Sequence, residues 1–154
     1  MKDTNASLTT DVVLFAQDDT GEWCVLLIER GHAPFAGRWA LPGGYVDPHE
    51  TAATAAAREL REETGVLLPE WELDQVGVYD EPARDPRGRV VSVAYCAVLD
   101  HLPAAVGGDD ARQARWWPVA EVLVADFGPL AFDHDQILTD ALDLALTRGI
   151  GLAH

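Results

Sequence analysis

The sequence predicts an α/β fold, in which a mixed β-sheet carries helices on both faces. The first observation is the order of the patterns: strand-like runs, a glutamate-rich helix, further strand-like runs and a final amphipathic helix. The second is size and composition, since 154 residues, 48% of them hydrophobic, are enough for one real core. No repeat, low-complexity stretch or linker divides the sequence. We therefore expect residues 1–154 to form a single domain.

The N-terminal part predicts a hairpin followed by a short strand. Residues 8–16 and 23–30 are rich in apolar and β-branched side chains, and the polar stretch 17–21 between them contains Asp-Asp-Thr-Gly. This arrangement is typical of an antiparallel hairpin. Residues 39–41 predict a short third strand, which the Pro-Gly-Gly of residues 42–44 is expected to end.

The next element is a helix with three carboxylates on one face. Glu59, Glu62 and Glu63 follow one another at helical spacings of three and four residues. An apolar stripe adjoins them, formed by Ala53, Ala56, Ala57 and Leu60. A bare run of this kind is usually a solvated acidic face. Because like charges this close repel, the cluster otherwise indicates a bound divalent cation such as Mg²⁺ or Mn²⁺.

Local signals predict both ends of this helix and one contact on its surface. Asp47 or His49 is expected to open it, with Glu50 in its first turn. Gly65 is expected to end it as a left-handed cap. Arg58 can pair with Glu50, or with the glutamate four residues after it, and thereby orient a carboxylate.

The C-terminal half predicts three more strands and two more helices. Turn residues lie between the first two of these strands, and Asp133 is a candidate N-cap for the last helix. Residues 100–110 are expected to form a loop rich in Pro, Gly and Asp. The predicted strands are 71–79, 90–99 and 115–118, and the predicted helices are 119–123 and 132–147.

The residues around the glutamate-rich helix match the signature G-x5-E-x7-R-E-U-x-E-E-x-G-U, in which U is a bulky aliphatic residue. Every fixed position is filled, by Gly44, Glu50, Arg58, Glu59, Leu60, Glu62, Glu63, Gly65 and Val66. The chain therefore resembles the Nudix hydrolases. That resemblance implies an α/β/α sandwich and a metal-dependent hydrolase acting on a nucleoside diphosphate linked to another group.

The resemblance also implies a metal site and a catalytic set. Glu59, Glu62 and Glu63 are expected to bind one to three Mg²⁺ or Mn²⁺ ions, and the backbone carbonyl of Gly43 is a further candidate ligand. The catalytic candidates are Arg58, Glu62 and Glu63, with the general base expected from one of these two glutamates. Asp109 and Asp110, in the loop before the last strand, are candidates for a base, an extra ligand or a substrate contact. Gln113 stands where relatives often carry a glutamate, which weakens a base in that loop.

Features outside the signature resemble the ADP-ribose pyrophosphatase branch of the family. Pro82 lies sixteen residues after Val66, and the segments 37–44, 85–95 and 132–138 are also similar to that branch. The implied reaction is hydrolysis of ADP-ribose to AMP and ribose 5-phosphate.

The candidate substrate contacts are arginines and aromatic residues. Arg38, Arg84, Arg87 and Arg89 are candidates to clamp phosphate or the terminal ribose, and Arg87 is the weakest because it can equally be a solvated turn residue. Tyr79, Trp39 and Trp117 are candidates to stack on adenine, although core packing is expected at least as strongly for each. His134 is interpreted as a structural residue in a local hydrogen-bond network.

Composition limits the partners and the compartment. The formal net charge of −15 argues against non-specific nucleic-acid binding. The N-terminus lacks a signal-peptide core, and no stretch has the roughly 18 apolar residues of a membrane span. We therefore expect a cytoplasmic protein with a small-molecule nucleotide substrate and neither membrane nor nucleic-acid partners. The long N-terminal hairpin and related enzymes suggest a homodimer, and Cys24 and Cys96 are expected to be buried, inert thiols.

Two other functions stay open. One is a pyrophosphohydrolase that acts on a nucleoside triphosphate or an oxidised dNTP and releases pyrophosphate. The other is a non-catalytic ADP-ribose sensor, since the same branch includes regulators with a DNA-binding winged helix. The intact set of glutamates argues against a sensor, and no DNA-binding domain fits after the last predicted helix. A freestanding hydrolase is the favoured interpretation.

Overall fold

The computed structural model describes residues 5–105, 107 and 111–148. This part of the chain contains seven strands, three α-helices and two short 3-10 helices. The strands are β1 (Ser7–Gln17), β2 (Trp23–Arg30), β3 (Trp39–Ala40), β4 (Gly43–Tyr45), β5 (Asp74–Tyr79), β6 (Val90–Val98) and β7 (Ala111–Pro118). The α-helices are α1 (Ala52–Thr64), α2 (Val119–Val122) and α3 (His134–Arg148), and the 3-10 helices are Glu70–Glu72 and Ala125–Phe127.

The sheet is mixed, and β1 is its central strand. The main strand order is β3-β2-β1-β6-β5, with β4 also paired to β1 and β7 also paired to β2. The β1–β6 pair is parallel, whereas the other pairs are antiparallel. One edge of β1 is divided: residues 9–11 pair with β4, and residues 15–17 pair with β2 in the predicted hairpin. The sheet therefore opens between β4 and β2.

Alternating residues of β1 build two cores on opposite faces of the sheet. Val13 and Phe15 belong to a cluster that includes residues of α2 and α3. Val12 and Leu14 belong to a second cluster that includes Leu60 of α1. This alternation follows from the two-residue period of a strand. The predicted α/β sandwich with helices on both faces is confirmed.

The start of α1 differs from the prediction. Thr51, rather than Asp47 or His49, is the N-cap, because its hydroxyl accepts a hydrogen bond from the Thr54 backbone N–H at 3.1 Å. Glu50 lies before the helix, where its carboxylate accepts a hydrogen bond from the Asp47 N–H at 2.8 Å. The predicted C-terminal end is confirmed, since Gly65 has φ 75° and donates its N–H to the carbonyl of Arg61.

Several strand limits also differ. Gly43 and Gly44, expected together with Pro42 to end the preceding strand, instead form β4 with Tyr45 by pairing with β1. The predicted strand 71–79 begins with the 3-10 helix Glu70–Glu72, so β5 starts only at Asp74. β7 begins at Ala111 rather than at residue 115 because it pairs with β2 along most of that strand's length. Long-range pairing, which a local pattern does not contain, sets the limits of β4 and β7, whereas local hydrogen bonds of the 3-10 turn delay the start of β5.

Both thiols lie inside the sheet, as predicted. Cys24 of β2 and Cys96 of β6 are buried and form no disulfide, and the Cys24 thiol donates a weak hydrogen bond to the Glu22 carbonyl at 3.7 Å. Burial raises the pKa of both thiols, that of Cys96 to about 11. Among the described residues, no helix is both long enough and apolar enough to cross a membrane.

Candidate functional site

A cleft of about 300 Å³ opens where β4 and β2 separate along β1. Its walls come from β4, from α1, from the loop between β5 and β6, and from the residues that lead into α3. The residues that line it and bear on the chemistry are Asp11, Arg30, Gly43, Gly44, Tyr45, Glu59, Glu63, Arg84, Asp85, Arg87, Phe132 and His134. Carboxylates and guanidinium groups thus share one cavity.

Two glycines allow β4 to lie directly against the glutamates of α1. A Cβ atom on Gly44 would come within 2.6 Å of the Glu59 carboxyl carbon, and one on Gly43 would come within 2.0 Å of the Thr10 carbonyl oxygen. The Gly43 N–H donates a hydrogen bond of 2.7 Å to Oε1 of Glu63. The bare backbone of β4 therefore holds Glu59 and Glu63 at the cleft.

The three glutamates of the signature have different surroundings. Glu63 is buried, with 6% of its surface exposed, and lines the cleft. Glu59 also lines the cleft, and its burial raises its pKa even though the Arg58 guanidinium works in the opposite direction. Glu62 does not line the cleft, and 35% of its side chain is exposed. Of the predicted metal ligands, the structure brings together Gly43, Glu59 and Glu63, with Glu62 on the outer side of the helix.

Arg58 ties the glutamates to one another and to β4. It donates to both carboxylate oxygens of Glu50, to Oε1 of Glu59 at 2.8 Å, to Oε2 of Glu62 at 3.2 Å, and to the Tyr45 carbonyl at 3.0 Å. Both predicted pairings of Arg58 are therefore present, together with a third, to Glu59.

Within the described residues, no three carboxylate, imidazole or thiol groups are arranged to enclose a metal ion. Glu59 and Glu62 instead share the Arg58 guanidinium, which does not itself line the cleft.

Acid should weaken the contact between Glu50 and Arg58. Hydrogen bonds from Arg58 lower the pKa of Glu50 from 4.5 to about 2. Because the folded state binds this proton less readily than the unfolded chain, the contribution to stability is complete above about pH 4.5 and is lost as the pH falls towards 2. As the pH falls across this interval, we expect the melting temperature of Glu50→Gln to decrease less than that of the wild type. Thermal melts followed by circular dichroism test this prediction, with Glu72→Gln, at an exposed position, as the control. Equal decreases in melting temperature for the two variants would contradict it.

A buried polar network lies behind the cleft, and sequence reasoning missed most of it. Asp11 accepts hydrogen bonds from the Ser92 hydroxyl at 2.5 Å and from Nε2 of His134 at 3.2 Å. The Leu41 N–H donates to Nδ1 of His134 at 3.0 Å, so the ring proton is on Nε2 and points to Asp11. Burial would raise the pKa of Asp11, but His134, Ser92 and Arg84 together lower it. His134 thus belongs to a hydrogen-bond network, as interpreted, and it also lines the cleft.

The sequence did contain a signal for this network. Asp11 is a charged residue between the apolar and β-branched side chains of a predicted strand, where aspartate is depleted. A charged residue at such a position is rarely buried unless it is paired. The pattern therefore pointed to a polar partner for Asp11 without identifying it.

The candidate arginines divide into two groups. Arg84 lines the cleft and is buried, and Asp133 accepts its Nε and Nη2 hydrogen bonds at 2.9 and 2.6 Å. Arg87, the weakest candidate from sequence, also lines the cleft and donates to Asp85 at 3.0 and 2.8 Å. Arg38 and Arg89 are exposed and do not line it.

The aromatic candidates do not reach the cleft. Tyr79 packs on the core beneath α3 and donates its hydroxyl to Asp140 at 2.7 Å. Trp39 and Trp117 pack against each other with ring centroids 5.2 Å apart, at the same core. All three side chains therefore pack in the core. The Tyr79 hydroxyl has its hydrogen-bond partner there, and the two indole rings pack against each other. Asp109 and Asp110 lie outside the described residues.

The chain is similar to known proteins in both sequence and structure. The model of the NUDIX domain matches residues 7–141. An ADP-ribose pyrophosphatase of Methanocaldococcus jannaschii is 42% identical over 117 residues, which are 75% of this chain and 64% of that protein. The ADPR responsive transcriptional repressor NtrR of Acinetobacter baylyi is 35% identical over 136 residues, 87% of this chain and 52% of that protein. The chain thus spans between half and two thirds of the length of these two relatives.

A solved structure agrees with these sequence matches. A bifunctional NMN adenylyltransferase/ADP ribose pyrophosphatase of Francisella tularensis, complexed with AMP and a manganese ion, superimposes with a TM-score of 0.80. It is 30% identical, and the match covers 94% of this chain and 43% of that one. Most of the chain, including the cleft and all nine positions of the signature, falls within the matched domain. The chain belongs to the NUDIX family.

Proposed function

We propose that this chain is a divalent-metal-dependent pyrophosphohydrolase that cleaves ADP-ribose into AMP and ribose 5-phosphate. The observation that carries the proposal is that Glu59, Glu63 and the Gly43 backbone share one cleft with Arg84 and Arg87. Oxygen donors for a cation and guanidinium groups for phosphates are the two requirements of a diphosphate site. Similarity to the pyrophosphatase of M. jannaschii supports ADP-ribose as the substrate.

The donor set fits Mg²⁺ or Mn²⁺. Glu59, Glu63 and the Gly43 carbonyl offer oxygen ligands, which these cations prefer, and Glu62 completes the set expected from the signature. Burial raises the pKa of Glu59, and Arg58 does not fully offset this increase. A bound cation would stabilise the charged form of that carboxylate, so the raised pKa is consistent with a cation site. When bound, the ion would neutralise diphosphate charge and lower the pKa of the attacking water. The manganese ion in the F. tularensis relative supports this assignment.

The protein's own groups then position the reactants. Glu63 is the preferred general base over Glu62, because Glu63 lines the cleft and is fixed by the Gly43 N–H. It would accept the proton of a water molecule that attacks one phosphorus, while the bridging P–O bond breaks and the other phosphate leaves. Arg58 would orient the glutamates, and Arg84 and Arg87 would bind non-bridging phosphate oxygens.

Product identification tests the proposal. The purified protein would be incubated with Mg²⁺ and, separately, with ADP-ribose, NADH, a nucleotide sugar, GTP and 8-oxo-dGTP, and the products separated by chromatography. We expect AMP and ribose 5-phosphate, formed preferentially from ADP-ribose. Release of pyrophosphate from a triphosphate would instead identify a nucleoside triphosphate or oxidised dNTP hydrolase.

A non-catalytic ADP-ribose sensor is the second candidate function, and similarity to the repressor of A. baylyi favours it. The complete set of signature glutamates argues for catalysis, because a sensor needs to bind ADP-ribose but does not need to activate water. Tight binding of ADP-ribose without turnover of any compound in the same experiment would establish the sensor.

We further propose that residues 1–154 form a single domain and act in the cytoplasm as a homodimer without nucleic-acid partners. The net charge of −15 supports the absence of non-specific DNA binding. Light scattering coupled to size-exclusion chromatography tests the dimer, and a mass of 16.7 kDa in solution would identify a monomer.

A further inference from the structure

Phe132 is an aromatic side chain of the cleft that neither the signature nor the sequence analysis singled out. It lies in the segment before α3, is partly buried and lines the same cavity as Glu59 and Glu63. Phe35 packs edge-on against it, with ring centroids 4.9 Å apart and an interplanar angle of 69°. Phe35 does not line the cavity, so it supports the Phe132 ring from outside the cleft.

The backbone conformation that holds this ring in place is energetically unfavourable. Phe132 has φ 53°, in the left-handed region that bulky residues rarely adopt. Its neighbours fix this conformation: the Ala131 N–H donates to the Trp39 carbonyl at 2.9 Å, and the Asp133 carboxylate holds Arg84. His134 is fixed in turn by Asp11 and by the Leu41 N–H. Because polar contacts anchor both sides of Phe132, its ring is positioned independently of any ligand.

Two guanidinium groups of the cleft lie over this ring, and the nearer is that of Arg30, whose central carbon is 4.9 Å from the Phe132 centroid. The guanidinium carbon of Arg87 is 5.6 Å from the Phe132 centroid and 5.8 Å from that of Tyr45, another residue that lines the cleft. Arg87 thus lies over two aromatic rings and keeps 42% of its side chain exposed. Flat, delocalised groups such as guanidinium and purine stack on aromatic faces in similar ways. An adenine base that stacks on Phe132 would therefore take the place of one of these guanidinium groups on the cavity side of the ring.

We propose that Phe132 is the residue on which the adenine base of the substrate stacks. The inference rests on the proposed function, because it assigns the base of ADP-ribose to one part of the cleft and the diphosphate to the part formed by Glu59, Glu63 and Gly43. It replaces Tyr79, Trp39 and Trp117, whose rings pack in the core. Arg87 lies next to the ring and would contact the phosphate joined to the adenosine.

Binding measurements isolate this role from catalysis. The dissociation constants of AMP and of ribose 5-phosphate, which lacks the base, would be measured by calorimetry for the wild type, Phe132→Leu, Phe132→Tyr and Phe35→Leu. Phe35→Leu is the matched control, because it perturbs the same apolar contact but removes no ring from the cleft. Melting temperatures confirm that each variant is folded. Phe132→Tyr keeps an aromatic ring if Phe132→Leu fails to fold.

We expect Phe132→Leu to weaken AMP binding by about tenfold or more and to leave ribose 5-phosphate binding unchanged. Phe132→Tyr should bind both ligands as the wild type does, and Phe35→Leu should weaken AMP binding much less than Phe132→Leu. The inference is overturned if Phe132→Leu binds AMP as the wild type does, weakens both ligands equally, or matches Phe35→Leu. Loss of ADP-ribose turnover in the wild type, with selective AMP binding intact, would reject the proposed function alone.

Discussion

Glu63→Gln is expected to lower kcat for ADP-ribose by roughly 10²- to 10⁴-fold while the protein stays folded. The change is nearly isosteric, and the amide oxygen can still accept the Gly43 N–H that Oε1 accepts at 2.7 Å. It removes, however, the negative charge that a metal ligand or general base requires. Steady-state kinetics with Mg²⁺ and ADP-ribose, alongside a thermal melt, measure both quantities.

Two matched substitutions make this result specific. Glu72→Gln removes an exposed glutamate outside the cleft and should leave kcat unchanged. Glu62→Gln separates the two candidate bases, and we expect a smaller loss because Glu62 lies outside the cleft. Wild-type turnover in Glu63→Gln would reject the assignment of Glu63, and a larger loss in Glu62→Gln would transfer the role of base to Glu62.

Gly43→Ala should destabilise the protein by about 3 kcal/mol, the upper end of the usual range for overpacking. The new Cβ would come within 2.0 Å of the Thr10 carbonyl oxygen, a backbone atom of the central strand that a side-chain rotation cannot move away. Urea unfolding measures the change. Gly77→Ala in β5 is the control, because its Cβ would meet only the Tyr79 ring, at an ordinary 3.7 Å. Equal stabilities of the two variants would contradict the packing of β4 described above.

Gly44→Ala should mainly affect activity rather than stability. Its Cβ would meet the Glu59 carboxylate at 2.6 to 2.8 Å, and that side chain can rotate away. Displacing Glu59 by about 1 Å is expected to lower kcat/KM by about a hundredfold. Gly43→Ala should therefore shift the unfolding midpoint, whereas Gly44→Ala should shift the kinetics. If Gly44→Ala keeps full activity, Glu59 does not depend on this contact.

Sequence reasoning located the glutamates and Gly65 because their spacing is local. The helical period alone places Glu59 and Glu63 on one face, and a glycine after an apolar-periodic run is a strong end signal. The N-cap was missed because three polar residues near the start of α1 are all plausible caps, and only the Thr54 N–H identifies Thr51. Asp47 was equally acceptable on pattern alone.

The remaining parts of the site depend on contacts between distant residues. The Leu41 N–H meets His134 across 93 positions, the Ser92 hydroxyl meets Asp11 across 81, and Arg84 meets Asp133 across 49. No window of a single sequence contains such pairs. The partner of the Tyr79 hydroxyl, Asp140, is 61 positions away, so a local pattern could not decide between core packing and base stacking for this ring.

The two buried thiols provide a way to observe motion of the sheet. Only the thiolate reacts rapidly with maleimides, and burial both blocks access to Cys24 and Cys96 and raises their pKa. Labelling at neutral pH therefore requires that β2 or β6 opens first. Single-cysteine variants followed by mass spectrometry would give the opening rate of each strand separately, from β2 beside the cleft and from β6 on the other edge of β1.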